Sequence, residues 1–203
     1  MRIALIDYDS GNLFSVTQAL RHVGAEVERV TSAEAMSGFD GMVLPGVGAF
    51  GDAAAKLASR GLMDPVRAWI AEDRPFFGIC VGYQLLFSTS EESPDARGLG
   101  VLPGRVRRFT PSALKIPQIG WNQVQWKRPD PMVEGLQEPS WFYFVHSFFP
   151  EPEDPTLVAG TAEYGETFAA AVRRGNLTAT QFHPEKSQAD GLRLLRNFVE
   201  RIA

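Results

Sequence analysis

The chain has 203 residues, a length that favours a single domain, and its 44% hydrophobic and 22% charged residues predict a globular protein with a buried core. Its 20 basic and 24 acidic side chains give a net charge of −4, which disfavours a protein that binds nucleic acid mainly through the phosphates. The single cysteine excludes an intrachain disulfide and a Cys-rich zinc site, and without a signal-peptide core or an apolar run of about 20 residues we expect a cytoplasmic protein that makes no membrane contact.

The first half of the chain alternates short apolar runs with helical patterns. Strands are predicted at 3–6, 26–30, 42–44 and 76–79, and helices at 13–23, after Gly51, at 62–72 and at 84–87. Strands such as 42–44 have no polar face, which is typical of a sheet covered on both sides. This alternation predicts parallel βαβ units in a doubly wound, mostly parallel α/β sheet with helices on both faces.

The second half has a different pattern, in which short strand-like runs are separated by proline and glycine. The runs are 124–126, 141–145, 156–159, 168–172 and 178–182, and a final helix is predicted at about 188–202. We expect these strands to form an antiparallel extension of the sheet. Because no internal repeat and no long linker interrupts the chain, a single domain over residues 1–203 is predicted.

The segment Gly78-Ile79-Cys80-Val81-Gly82 lies where a buried strand is predicted to meet a helix, and it has the G-x-nucleophile-x-G form of a nucleophile elbow. In such a turn the backbone of the nucleophile is strained, and the flanking glycines leave room for it. The N–H groups and the dipole of the following helix would favour the thiolate of Cys80. The alternative is a buried, inert cysteine, since free cysteines are among the most buried residues.

A thiolate that transfers acyl groups needs a base, and the chain has three histidines. His22 falls on the first predicted helix, where a solvated or capping role is expected. His146 lies in an apolar strand, where a structural role is favoured. His183 directly follows a strand, and Glu185 can orient its imidazole. Cys80, His183 and Glu185 therefore form a candidate triad.

A glycine-rich loop, Pro45-Gly46-Val47-Gly48-Ala49-Phe50-Gly51, follows the third predicted strand. Its glycines match the G-x-G-x-x-G dinucleotide fingerprint, which leaves a nucleotide-binding oxidoreductase as an alternative. However, Pro45 intervenes after the strand, and the acid expected about 20 residues later at the end of a second strand is absent. We therefore favour an oxyanion loop, in which backbone N–H groups turn towards a negative charge that develops beside Cys80.

These residues resemble the class I (triad) glutamine amidotransferases, and among them the glutaminase subunits of imidazole glycerol phosphate synthases. The resemblance runs from Met1 to the final helix. The segments that carry it are residues 7–13, 45–50, 78–87, 116–122, 144–147 and 183–187. The chain departs from the commonest form of this family at Asp9, Val81, Tyr83 and Gln118, and none of these changes removes a group that the chemistry needs. Gln118 is expected near the partner face.

The resemblance implies hydrolysis of the side-chain amide of L-glutamine and delivery of the ammonia to a cyclase subunit, with which the chain would form a heterodimer. It assigns catalysis to Cys80, His183 and Glu185. The other implied roles are oxyanion donation by Val47, Gly48 and Val81, substrate binding by Gln84, Glu92, His146 and Ser147, and partner contact by Asn12, Trp121, Asn122 and Lys186. No cofactor, metal ion or nucleic acid is implied.

Other functions remain open at this point. Another small amidotransferase subunit, which feeds anthranilate or pyridoxal phosphate synthesis, uses the same chemistry, but Gly120-Trp121-Asn122 and Lys186 argue against it. A redox-sensing protein would use Cys80 as a reactive thiol without a triad. For Glu92 an ordinary surface position, and for Trp121 simple core packing, are the alternatives to a functional role.

Overall fold

The computed structural model describes residues 1–110 and 113–202, whose strands form a large mixed sheet and a small antiparallel one. The elements of the first half are β1 (Arg2–Ile6), α1 (Leu13–His22), β2 (Glu26–Val30), β3 (Gly41–Gly46), α2 (Phe50–Ser59), α3 (Met63–Ala71), β4 (Phe76–Cys80) and α4 (Val81–Gln84). Those of the second half are β5 (Gly104–Arg108), β6 (Gln118–Trp126), β7 (Ser140–His146), β8 (Phe148–Pro152), β9 (Val158–Glu163), β10 (Thr167–Arg174), β11 (Leu177–Thr180) and α5 (Gln188–Ile202).

The large sheet has the strand order β2-β1-β3-β4-β11-β10-β9-β6-β7. Its first five strands in this order are parallel, and the pairs from β11 to β7 are antiparallel. The predicted α/β fold with an antiparallel extension is therefore confirmed. Strand β11 joins the two parts of the sheet: as expected it pairs antiparallel with β10, but it also pairs in parallel with β4, which was not expected.

The chain direction places helices on both faces of the sheet. The chain passes from β1 through α1 to β2 towards one edge, and from β3 through α2 and α3 to β4 towards the other. Right-handed crossovers in opposite directions put their helices on opposite faces, and α5 packs beside α1. Every residue of β3 and β4 is buried, as expected for strands covered from both sides.

Several predicted boundaries are wrong. The strand expected to end at Leu44 continues through Pro45 to Gly46, which pairs with Cys80. The helix expected at 84–87 begins at Val81 and lasts for one turn. In the second half, the strand expected at 156–159 begins only at Val158, because Asp154 caps a short 3-10 turn at Pro155–Leu157.

Strand β8 was missed in the sequence, since its two prolines argue against a strand. The two prolines are tolerated because β8 pairs only with β5, so ladder hydrogen bonds are needed on only one side of the strand.

The carboxyl ends of β1, β3, β4 and β11 lie side by side at one edge of the sheet. Cys80 is the last residue of β4, and the opening segment 7–12, the glycine-rich loop and His183 follow or overlap the ends of the other three strands. In open α/β sheets this edge is where ligands bind. No helix that the structure describes is both long and apolar enough to cross a membrane.

Candidate active site

Cys80 sits in a strained turn between β4 and α4. Its φ is +54°, in the left-handed region that residues with a side chain seldom adopt, and strain of this kind is concentrated at functional sites. The turn packs tightly against β3: a Cβ atom on Gly82 would lie 1.9 Å from the carbonyl oxygen of Leu44. Glycine at 82 is therefore required by the close approach of two backbones, as the elbow motif predicts.

The helix after Cys80 is only one turn long. Because α4 has only four residues, its dipole is that of a single turn and gives little stabilisation to a thiolate. The sulfur is instead contacted by the residue that directly follows β11, since Nε2 of Gln181 lies 3.6 Å from Sγ of Cys80. Cys80 is 4% exposed, so these neighbours are less screened by water than they would be at the surface.

His183 and Glu185 form a buried pair. Nδ1 of His183 lies 2.9 Å from Oε1 of Glu185, and each side chain is 1% exposed. Because a carboxylate only accepts hydrogen bonds, Nδ1 carries a proton in either charge state of the ring, and it is Nε2 that gains or loses one. This Nε2 is buried and has no hydrogen-bond partner in the described part of the chain, so it is available to take a proton.

The charge environment favours a protonated His183. Burial by itself would lower the pKa of this imidazole, but the negative charges of Cys80 and Glu185 outweigh it and raise the pKa of His183 to about 10. An imidazolium at this position would stabilise a thiolate on Cys80, the form in which the sulfur attacks.

The glycine-rich loop is held by the loop that follows β1. The hydroxyl of Tyr8 donates to the carbonyl of Pro45 at 2.8 Å, and the hydroxyl of Ser10 donates to the carbonyl of Val47 at 2.9 Å. The N–H of Val47 also points at the Ser10 hydroxyl, at 3.5 Å. Gly48 follows with a φ of +88°, a conformation suited to glycine.

The backbone N–H groups of Val47 and Gly48 point in different directions. In a trans peptide the carbonyl and the next N–H point in opposite directions. Because the Val47 carbonyl faces Ser10, the N–H of Gly48 points away from Ser10, whereas the N–H of Val47 faces it. Val47, Gly48 and Val81 all line the same pocket as Cys80, so the structure brings the expected oxyanion residues together with the nucleophile.

The pocket has a volume of about 270 Å³, close to the lower end for small-ligand sites. It is lined by Val47, Gly48, Cys80, Val81, Gln84, Glu92, Pro117, Val145, His146, Ser147, Phe148 and His183. All the residues expected to bind substrate are among them. The volume suits a molecule of the size of an amino acid.

Two of these residues are held by backbone groups. Glu92 accepts a hydrogen bond of 2.7 Å from the N–H of Phe50, the first residue of α2. The side-chain nitrogen of Gln84 donates to the carbonyl of Phe148 at 3.0 Å and to Oε1 of Gln181 at 3.2 Å. Both protons of that nitrogen are used, so the group that Gln84 can offer to a ligand is its oxygen.

His146 is a buried wall residue. Its ring nitrogens lie 2.9 Å from the carbonyl of Phe148 and 3.0 Å from the amide of Gln118. Burial lowers its pKa to about 4, so the ring is neutral near pH 7. Gln118 was expected near the partner face; its side chain is buried against His146, so it is not itself part of an exposed surface.

The residues expected at a partner surface separate into two groups. Trp121 and Lys186 both approach Tyr143, with ring centroids 6.3 Å apart for Trp121 and the ammonium 5.9 Å from the ring for Lys186. Asn12 instead caps the start of α1 by accepting from the N–H of Ser15. Asn122 lies on the opposite face of β6 from Trp121 and donates to the carbonyl of Glu163.

Sequence reasoning missed Gln181, Tyr8 and Ser10. Gln181 precedes His183 by two residues at the end of a strand, a spacing that places side chains on the same side of an extended chain. That spacing was the available signal. Tyr8 and Ser10 carried none, because their partners are backbone carbonyls of a loop that is distant in sequence. Among the described residues no group of three or more His, Cys, Asp or Glu side chains is arranged to hold a metal ion.

The chain is similar over its whole length to known proteins. The family profile of class-I glutamine amidotransferases matches residues 4–202. A relative named imidazole glycerol phosphate synthase subunit HisH, from Synechococcus sp. (strain JA-3-3Ab), is 50% identical over 100% of this chain and 95% of its own length. A protein of the same name from Rhodopirellula baltica is 49% identical over 97% of this chain and 96% of its own length.

Solved structures similar to this chain include a glutamine amidotransferase. A crystal structure of a glutamine amidotransferase has a TM-score of 0.74 and 25% identity, over 98% of both chains. The structure of PurLQS from Thermotoga maritima has a TM-score of 0.80 over 100% of this chain and 99% of that chain; at 19% identity it shows the fold alone. The chain therefore belongs to the class-I glutamine amidotransferase family, among the HisH subunits of imidazole glycerol phosphate synthase.

Proposed function

We propose that this chain, as a single domain over residues 1–203, hydrolyses L-glutamine to glutamate and ammonia and delivers the ammonia to a cyclase subunit that forms imidazole glycerol phosphate in the cytoplasm. The observation that carries the proposal is the buried His183–Glu185 pair, whose free Nε2 shares a pocket with the strained Cys80. The names of its relatives support the choice of partner.

Catalysis begins when Sγ of Cys80 attacks the amide carbon of glutamine. An S–C bond forms, the carbonyl oxygen becomes negative, and the proton of the thiol resides on Nε2 of His183. Backbone N–H groups of Gly48 and Val81 stabilise the oxyanion. The proton passes from His183 to the leaving nitrogen, the C–N bond breaks, and ammonia departs from a thioester.

The second half of the reaction reverses these roles. His183 takes a proton from water, whose oxygen attacks the thioester carbon; the S–C bond then breaks and glutamate leaves. Glu185 accepts a hydrogen bond from Nδ1 throughout, so the ring keeps its orientation when Nε2 gains and loses the proton.

Recognition of the amino-acid end of glutamine falls to the other wall of the pocket. The carboxylate of Glu92 and the side-chain oxygen of Gln84 both accept hydrogen bonds, which suits the ammonium group of the substrate. Ser147 and neutral His146 complete this wall. The hydrogen bonds that Glu92 accepts from Phe50 and that Gln84 donates to Phe148 and Gln181 are in place before substrate arrives, so little ordering is needed on binding.

The outer face of β6 and β7 is the proposed cyclase surface. It exposes large apolar side chains beside Lys186, namely Ile119 (63% exposed), Trp121 (44%) and Trp141 (45%). A contiguous apolar patch of this kind marks a protein interaction site. Val145 belongs to β7, as Trp141 does, and it also lines the glutamine pocket. It therefore connects the proposed surface with the site of ammonia release.

The proposal is tested by ammonia release from glutamine, measured for the chain alone and with the cyclase subunit and its ribonucleotide ligand. We expect a large rise when both are added, and no release by the Cys80→Ser variant under any condition. A folded chain that releases no ammonia in either condition would contradict the proposal. Release that the cyclase subunit leaves unchanged would support hydrolysis but refute the partner.

A further inference from the structure

Gln181 is a buried polar residue to which the proposed mechanism gives no role. It follows the end of β11, and its side chain is fully buried. Its backbone N–H donates to the carbonyl of Ala170 in β10 at 2.8 Å, which fixes its position at the carboxyl end of β11. Its side-chain amide lies between Gln84 and Cys80, with Oε1 3.2 Å from the nitrogen of Gln84 and Nε2 3.6 Å from Sγ of Cys80.

The orientation of this amide follows from its neighbours. The carbonyl of Phe148 only accepts hydrogen bonds, so the group of Gln84 that approaches it must be the NH₂. The same nitrogen approaches Gln181, which must therefore present its oxygen to Gln84. The NH₂ group of Gln181 is left facing the sulfur of Cys80.

We propose that Gln181 is a positioning residue for the nucleophile: its amide donates a hydrogen bond to Cys80, stabilises the thiolate and holds the sulfur towards the pocket. The proposal rests on the proposed function in taking Cys80 as the attacking group. A thiolate accepts such a bond more strongly than a thiol does, because hydrogen bonds to charged groups are the stronger ones. His183 supplies the opposite charge, and Gln181 supplies a neutral hydrogen-bond donor that does not take up the proton of the thiol.

The arrangement also explains why a short helix suffices after Cys80. With only four residues, α4 gives the sulfur little of the dipole stabilisation expected from a longer helix. A donor fixed by a hydrogen-bonded chain from Phe148 through Gln84 replaces it. The same chain connects the nucleophile with the wall of the substrate pocket.

The test measures the pH dependence of Cys80 alkylation by iodoacetamide in the full chain without substrate. Gln181→Met keeps the side-chain length but has no donor, and Gln181→Glu turns a carboxylate oxygen towards the sulfur. We expect the midpoint of the alkylation profile to rise by about one pH unit for Gln181→Met and by more for Gln181→Glu. The kcat/KM for glutamine should fall about tenfold or more, in line with the smaller thiolate fraction.

Gln125→Met, at an exposed position of β6, is the matched control and should keep the parent profile. Unfolding curves establish that each variant is folded, and either folded Gln181 variant decides the question. A folded variant with the parent midpoint would overturn the proposal. Alkylation does not require turnover, so a shifted midpoint in a chain that hydrolyses no glutamine would uphold the role of Gln181 while refuting the proposed function.

Discussion

Substitution of Gly82 by alanine tests the packing of the elbow directly. The added Cβ would lie 1.9 Å from the carbonyl oxygen and 2.9 Å from the carbonyl carbon of Leu44, both of which are backbone atoms of buried β3. An ordinary contact needs about 3.5 Å, so the elbow and β3 must separate by more than about 1 Å. No side-chain rotation can relieve this clash.

The expected effect is large on both stability and catalysis. Overpacking of this kind costs about 3 kcal/mol, which at about 3 °C per kcal/mol for a chain of this length lowers Tm by about 9 °C. A displacement of about 1 Å at a nucleophile reduces turnover by about 100-fold. The effect arises because the backbone of Gly82 belongs to the turn that holds Cys80.

The assay pairs thermal unfolding with glutamine turnover, and Gly61→Ala serves as its control. A Cβ at exposed Gly61 meets no atom within 4 Å, but its φ is +66°, so alanine there costs about 1–2 kcal/mol. We expect Gly61→Ala to lower Tm and keep parent activity. A Gly82→Ala variant with the parent Tm and kcat/KM within twofold of the parent would refute the reasoning.

Further predictions concern three buried side chains. The hydroxyl of Tyr83 is buried and has no hydrogen-bond partner among the described residues, so Tyr83→Phe should leave Tm unchanged or raise it; a fall of more than about 3 °C, or about 1 kcal/mol, would contradict this. Burial lowers the pKa of His146 to about 4, so the unfolded chain binds this proton first as the pH falls. Stability contributed by neutral His146 is therefore present above about pH 6.5 and lost towards pH 4, by about 2 kcal/mol at pH 5. Urea unfolding at pH 7 and pH 5 should show this loss in the parent and a smaller one in His146→Gln; equal losses would count against it. His183 acts in the opposite direction, because its raised pKa of about 10 makes stability fall between about pH 6.5 and 10.

The part of this protein that could be predicted from the sequence depends on local requirements. A buried strand, a strained nucleophile and two glycines within five residues specify an elbow, because only glycine fits where Gly82 meets Leu44. His183 and Glu185 are two residues apart and bond to each other, so their pairing was also readable. The parallel part of the sheet was also predictable, because the alternation of apolar runs with helical patterns is itself a local feature of the sequence.

The tertiary structure decided everything that depends on register and on contacts between distant segments. Gln181 meets Cys80 across two neighbouring strands, and Gln118 meets His146 across another pair, at positions set by the ladder and not by any local pattern. A shift of one residue turns a side chain to the other face of its strand, which is why Trp121 reaches Tyr143 and Asn122 does not. Sequence thus determined which chemical groups are present, whereas packing of the strands determined which of them face the sulfur, the pocket and the solvent.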